Sequence, residues 1–142
     1  MASYQIEIDG SARNNPGPAG IGVRIIGPDG TVVKQISRSI GIRTNNQAEY
    51  EAFICALQEA LKLPDGPVVI RTDSELLYRQ ITGRYRVRHP GIRPLYETAQ
   101  KLMNNRSEII IELVPREANR ATDRLARAAS GQNRSDSSGP EV

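Results

Sequence analysis

The chain has 142 residues, enough for one domain with a real core. Aromatic residues make up 4% with no Trp, so the core must be aliphatic, and a single cysteine, Cys55, excludes a disulfide framework or a cysteine zinc site. Net charge is +3, too small by itself to demand a polyanionic partner, yet Lys34, Lys62 and Lys101 are the only lysines and every other basic side chain but one histidine is an arginine, whose planar fork suits bidentate phosphate contact.

Met1-Ala2-Ser3 leads directly into a strand pattern, which leaves no room for a signal peptide, and no apolar run reaches the length of a membrane span, so a cytoplasmic protein is expected. Tyr4, Ile6 and Ile8 alternate with Gln5, Glu7 and Asp9, the period of a strand ending at Asp9-Gly10-Ser11; the polar Glu7 has no explanation in this pattern. Turn residues Asn14 to Pro18 introduce a second strand with Ile21, Val23 and Ile25 on one face. Gly27-Pro28-Asp29-Gly30 makes the next turn, and Val32, Ile36 and Ile40 mark a third strand, completing an antiparallel meander.

Thr44 followed three residues later by Gln47 has the form of a capping box at the head of a helix over 44–63, with Tyr50, Phe53, Ile54, Leu57 and Leu61 at helical spacing. Pro64 to Pro67 breaks the chain before Val68-Val69-Ile70, an apolar run of the kind covered on both faces, which leads to Thr72-Asp73-Ser74. Ser74 can cap a short helix carrying Leu77 and Ile81. Gly83 to Gly91 is a basic loop in which Arg84, Arg86, Arg88 and His89 are interleaved with Tyr85 and Val87. Pro94 suits the first turn of a helix with Leu95, Ala99, Leu102 and Met103 inward; Ile109-Ile110-Ile111 reads as a second buried strand. A last helix is predicted after Asn119 as N-cap, with Ala121, Thr122, Leu125 and Ala128 on its buried stripe, and residues 130–142 form a polar tail expected to be disordered. The order βββαβααβα predicts an α/β fold over residues 1–129: one five-stranded mixed sheet, three strands antiparallel and two parallel, with helices on both faces.

In such sheets ligands gather at the carboxyl ends of the parallel strands. Asp9 and Asp73 end two strands that become neighbours if the fourth pairs with the first, and Glu49 and Asp123 reach the same edge from the starts of two helices. Carboxylates brought together repel one another and persist with cations; an all-oxygen set favours Mg²⁺ or Mn²⁺ over zinc, and two such ions suit in-line phosphoryl displacement.

Four segments resemble the signature of type 1 ribonuclease H: Asp9-Gly10-Ser11, Thr44-Asn45-Asn46-Gln47-Ala48-Glu49, Thr72-Asp73-Ser74, and Asn119-Arg120-Ala121-Thr122-Asp123-Arg124-Leu125-Ala126. Their order and spacing fit the family from Tyr4 to about Ala129. The resemblance implies a ribonuclease H-like fold and a monomer that hydrolyses the RNA strand of an RNA–DNA hybrid with two Mg²⁺ ions, leaving 3′-hydroxyl and 5′-phosphate ends. It implies that Asp9 bridges both ions, with Asp123 joining it on one and Glu49 and Asp73 on the other. It further implies that Asn15, Asn45 and Asn46 lie near the backbones of the two strands and that Thr44 meets a DNA phosphate. The chain departs from the family in three places. It lacks the long basic protrusion, for which Arg84, Arg86 and Arg88 are candidate substitutes; it carries Glu75 where some members have a substrate-contacting Gln; and Arg116 stands in the loop where many members place a His. Cleavage of double-stranded RNA or chimeric junctions is the same-chemistry alternative, and a non-cleaving hybrid-binding module is the alternative from another class. The four carboxylates argue against the second, because a pure binder of polyanions gains by losing them.

Overall fold

The structure, a computed structural model, describes residues 3–131. Its strands are β1 (Tyr4–Ala12), β2 (Gly17–Ile26), β3 (Val32–Arg43), β4 (Val68–Thr72) and β5 (Ile109–Leu113). They form one sheet in the order β3-β2-β1-β4-β5, with β1–β2–β3 antiparallel and β4 and β5 parallel to β1. The helices are α1 (Asn45–Ala60), α2 (Glu75–Ile81), α3 (Arg93–Met103) and α4 (Arg120–Ser130), the last preceded by a 3-10 turn over Arg116–Asn119. The predicted order and sheet are those observed.

One face of the sheet carries Ile6, Ile8, Ile21, Val23, Val68 and Ile70, fully or nearly fully buried beneath α1 through Tyr50, Phe53, Ala56 and Leu57. Tyr50 donates its hydroxyl to Gln80 Oε1 at 2.7 Å in the same interior, which ties α1 to α2. Close approach is possible because Gly10 has no side chain: a Cβ there would fall on the backbone of Ala48 and Glu49. Glu49 is thereby held against the middle of β1.

The opposite face is built for α4. A Cβ at Gly22 would strike the Thr122 carbonyl, and one at Gly20 would strike Ala129 and Ser130. Ser37 and Ser39 of β3 donate their hydroxyls to the Leu125 and Ala129 carbonyls at 2.7 and 2.6 Å. This small-residue bed corrects the predicted helix face. Thr122, Ala126 and Ser130 are buried, whereas Ala128 is exposed, because a helix seated so close needs short side chains directly beneath it. The bed also explains Glu7. It lies under α4, where Arg24 Nη1 donates to its Oε1 at 2.7 Å and Thr122 Oγ1 donates to the same oxygen at 3.2 Å.

Two further boundaries differ from expectation. α4 packs on β1, β2 and β3, so β5 is an edge strand covered on one face only, and Ile110 is 49% exposed rather than buried. Ser130, assigned above to the tail, is the last residue of α4, and Gly131 closes the helix at φ 86, a conformation that suits glycine. The remainder of that tail lies outside the described residues.

The end of α1 has no basic residue in its last turn and is closed from a distance. The guanidinium of Arg106 donates to the carbonyls of Ala60 (2.7 Å), Leu63 (3.0 Å), Pro64 and Gly66 (2.9 Å). Arg106→Ala strips four acceptors of one donor group and is expected to cost about 3 kcal/mol, read as a lowered midpoint in denaturant titration. Arg106→Lys, lacking the fork, is expected to recover less than half of that.

Candidate active site

Asp9 does not end its strand, as the sequence suggested. It stands in the middle of β1, opposite Gly22 of β2. On the other side, the pairing with β4 stops at Glu7↔Arg71, so Asp9 lies where β1 runs on past its parallel neighbour. Asp73 follows the last residue of β4 at the same level, and the two carboxylates converge because their strands are adjacent.

Glu49 comes from the first turns of α1. The capping box is present in both directions: Thr44 Oγ1 accepts from Gln47 N at 3.1 Å, and Gln47 Oε1 accepts from Thr44 N at 3.0 Å. Oxygens of Asp9, Glu49 and Asp73 all lie within 4.8 Å of one another. Asp123, one turn into α4, is within hydrogen-bonding reach of Asp9 and lines the same cleft, together with Gly10, Ser11, Asn45, Arg116 and Arg127. The cleft measures about 460 Å³. All four predicted carboxylates are therefore brought to one place.

The electrostatics are those of an acid cluster short of positive charge. Asp9 is 5% exposed; burial, followed by the neighbouring Asp123 and Asp73, pushes its carboxyl up to about 8. Burial and then Asp9 and Asp73 drive Glu49 well above the usual carboxylate range. Burial raises Asp73 as well, opposed by a hydrogen bond from Asn119 and the charge of Arg116. Glu49 Oε1 is buried without a hydrogen-bond partner among the described residues. An orphaned carboxylate oxygen beside two other converging carboxylates fits a hard divalent cation, which would supply the missing charge and the missing contact at once. Asp123, by contrast, already accepts from Arg127 Nε at 3.0 Å.

Asn119 has a different place from the one predicted. Its side chain makes no cap to α4. It is 1% exposed and reaches back across the sheet, donating Nδ2 to the Ile8 carbonyl at 2.8 Å and to Asp73 Oδ2 at 3.3 Å. Its position one helical turn ahead of Asp123 is the sequence signal that could have placed it beside the cluster.

The remaining predicted residues form a rim. Asn45 Oδ1 accepts from Ala12 N at 2.9 Å, and Asn15 Oδ1 accepts from Asn45 N at 2.9 Å, which binds the β1–β2 turn to the head of α1. Asn46 is exposed beside them. Glu75 is held by Arg79 at 2.8 Å. Arg84, Arg86 and Arg88 are exposed in the loop before α3 and enter no ion pair among the described residues; the intervening Val87 is buried and anchors the loop. Arg86 and Arg88 line a recess of about 440 Å³ separate from the acid cleft, and the loop is joined to the capping box by a 3.2 Å hydrogen bond from Gln47 Nε2 to the Gly91 carbonyl. His89 uses Nδ1 to accept from Gly91 N at 2.9 Å.

Comparison with known proteins gives a consistent set of relatives. The family described as reverse transcriptase-like matches residues 7–129. The bifunctional protein Rv2228c of Mycobacterium tuberculosis is 42% identical over 125 residues, which is 87% of this chain and 34% of that protein. The solved N-terminal RNase H domain of that protein, a fusion with maltose-binding protein, matches with a TM-score of 0.85 at 41% identity, covering 90% of this chain and 98% of that one. Ribonuclease HI of Halobacterium salinarum is 38% identical over 121 residues, or 85% of this chain and 61% of the relative. LC11-RNase H1, solved in complex with an RNA/DNA hybrid, matches with a TM-score of 0.86 at 38% identity over 92% of this chain and 98% of that one. The chain thus spans less than two thirds of the length of both curated relatives.

Proposed function

The chain belongs to the type 1 ribonuclease H family, and from that membership and its acid cleft we propose that it is an endoribonuclease that cuts the RNA strand of RNA–DNA hybrids, leaving 3′-hydroxyl and 5′-phosphate ends. The observation that carries the reading is the convergence of Asp9, Glu49 and Asp73 within 4.8 Å around a buried, unpartnered Glu49 oxygen. Asp9, Glu49, Asp73 and Asp123 would hold two Mg²⁺ ions, with Mn²⁺ as a substitute, which would supply activation of the attacking water and stabilisation of the leaving oxygen.

The chain's own residues orient and balance charge. Asp9 lies between Glu49 and Asp123, in contact with both, which supports a role in which it would be the ligand common to the set. Arg116 draws the scissile phosphate toward the rim but cannot donate a proton near neutral pH, its guanidinium being permanently charged. His89 is exposed and engaged in its own turn, so the proton for the leaving 3′-oxygen comes from water. The amide nitrogens of Asn15, Asn45 and Asn46 have no partner among the described residues and present donors to backbone and 2′-hydroxyl oxygens, the groups that tell RNA from DNA.

Labelled hybrid, double-stranded RNA and double-stranded DNA, each incubated with Mg²⁺ or EDTA, test the reading. The RNA of the hybrid is expected to be cut with Mg²⁺ alone; tight hybrid binding without any cutting would make the chain a binding module. Replacing Arg84, Arg86 and Arg88 together by Ala is expected to weaken hybrid binding and to lower its salt slope by about 0.9 for each phosphate that the loop no longer neutralises. An unchanged slope in that titration would leave the three as solvated surface.

A further inference from the structure

The acid cleft is bordered on the α4 side by a second basic surface. A recess of about 370 Å³, sharing Arg116 and Asp123 with the cleft, is lined by Arg116, Glu117, Arg120, Asp123 and Arg124. Arg116, Arg120 and Arg124 are all exposed, recur every four residues, and enter no ion pair among the described residues; Arg127 on the same helix is instead paired with Asp123. Glu117 is the one further acidic side chain in the recess.

This arrangement works against the helix. Arg120 opens α4, where the helix macrodipole already presents positive charge, and Arg124 follows one turn later. Like charges four residues apart on a helix also repel. Local conflicts of this kind concentrate at functional sites, where a ligand resolves them. A ligand of opposite charge is at hand, since the strand whose phosphate enters the cleft must leave it again, and Asp123 and Arg116 belong to both cavities. The basic loop before α3 lies with α1 on one face of the sheet, whereas Arg120 and Arg124 lie with α4 on the other. The two basic surfaces therefore flank the carboxylates from opposite faces. Arg120 and Arg124 are separated by about 6 Å along the helix axis, within the span of one to two phosphates of a strand.

We propose that Arg120 and Arg124, continuing from Arg116, form a phosphate track for the flank of the cleaved RNA strand on the α4 side of the cleft. The track rests on the hydrolase reading above and adds to it a contact on the strand being cut. The ligand class is the phosphodiester backbone, recognised by charge and without base readout.

The test is hybrid binding by Arg120→Gln/Arg124→Gln in EDTA, followed by fluorescence anisotropy over a range of KCl concentrations. Three probes are used: an unmodified RNA–DNA hybrid, one with neutral methylphosphonate linkages at 2′-O-methyl positions of the RNA strand, and one with methylphosphonates in the DNA strand. The variant is expected to lower the salt slope by about 1 to 2. Neutral linkages in the RNA strand should cost the wild-type protein more affinity than the variant, while those in the DNA strand should cost both equally. Arg120→Lys/Arg124→Lys, which keeps the charge, should keep the slope, separating loss of charge from damage to the helix. An unchanged slope, or sensitivity shared with the DNA strand alone, overturns the track. Failure of the wild-type protein to cut the unmodified hybrid in Mg²⁺ overturns the hydrolase reading instead, a separate result from the slope.

Discussion

Asp9→Asn is expected to abolish hydrolysis of the hybrid and, in the same protein without metal, to raise the melting temperature. The two effects share a cause. Asp9 is buried between Glu49, Asp73 and Asp123, and its carboxyl is pushed up to about 8. In the unfolded chain an Asp titrates near 4. Between those values the folded protein binds a proton that the unfolded chain has lost, so stability falls as pH rises from about 4 through about 8. Glu49 and Asp73, both raised, act in the same direction. Asp29 and Glu59 act oppositely: hydrogen bonds from Thr31 lower the first, and Lys34 and Lys62 outweigh burial at the second, so their contributions are lost only at acid pH. The interval from about 5 to 8 therefore belongs to the cluster. In EDTA, Asp9→Asn should melt roughly 5 °C higher than wild type at about pH 9 and nearly the same at about pH 5. Calorimetric titration of the wild-type protein with Mg²⁺ should release protons, since the ligands must be ionised to bind. Retention of near-wild-type turnover by Asp9→Asn would remove Asp9 from the metal set.

The four carboxylates were legible because each stands beside a local signal that needs no tertiary knowledge. Asp9 is followed by Gly10 and Ser11, which look like a turn in sequence although β1 runs on through them, and Asp73 does follow the end of β4. Glu49 lies behind a capping box, and Asp123 occupies the first turns of an amphipathic helix. The order of elements was legible for the same reason. What stayed hidden depends on residues far apart in the chain. Glu7 is satisfied by Arg24 on the next strand and by Thr122, which lies 115 residues away. Arg106 closes a helix that ended more than forty residues earlier. The buried face of α4 was only partly placed: Thr122 is buried and Leu125 packs at Gly22 as periodicity suggests, but Ala128 is exposed, and the glycines of β2 admit Ala126 and Ser130 close to the sheet instead. Ile110 was placed inside because an apolar triplet looks the same on a central strand as on an edge. Asn119 was misread for a subtler reason: asparagine before a helix is a good cap, and only the fold shows its amide turned back to β1 and Asp73.

That amide supports the second large expected effect. Asn119 Nδ2 is the only side-chain donor found on Asp73 among the described residues, and its hydrogen bond is the leading influence holding Asp73 down against burial. Its other bond, to the Ile8 carbonyl, fixes Asp73 relative to the strand that carries Asp9. Asn119→Ala removes both. The stranded Ile8 carbonyl should cost about 1–3 kcal/mol of stability. Asp73, deprived of its donor, should rise further and be ionised in a smaller share of molecules at neutral pH. Loss of a partner that orients a metal ligand is typically worth about 10–100-fold in metal affinity or activity, and that range is expected here. The acid limb of the activity profile should move to higher pH, and saturating Mg²⁺ should restore part of the rate, because the cation competes with the proton for the same carboxylate. Asn119→Asp should be worse than Asn119→Ala on both counts, since an ionised carboxyl there can donate to neither partner and adds like charge beside Asp73. An Asn119→Ala protein with lowered stability but unchanged Mg²⁺ affinity and an unmoved acid limb would reduce Asn119 to packing between β1 and α4.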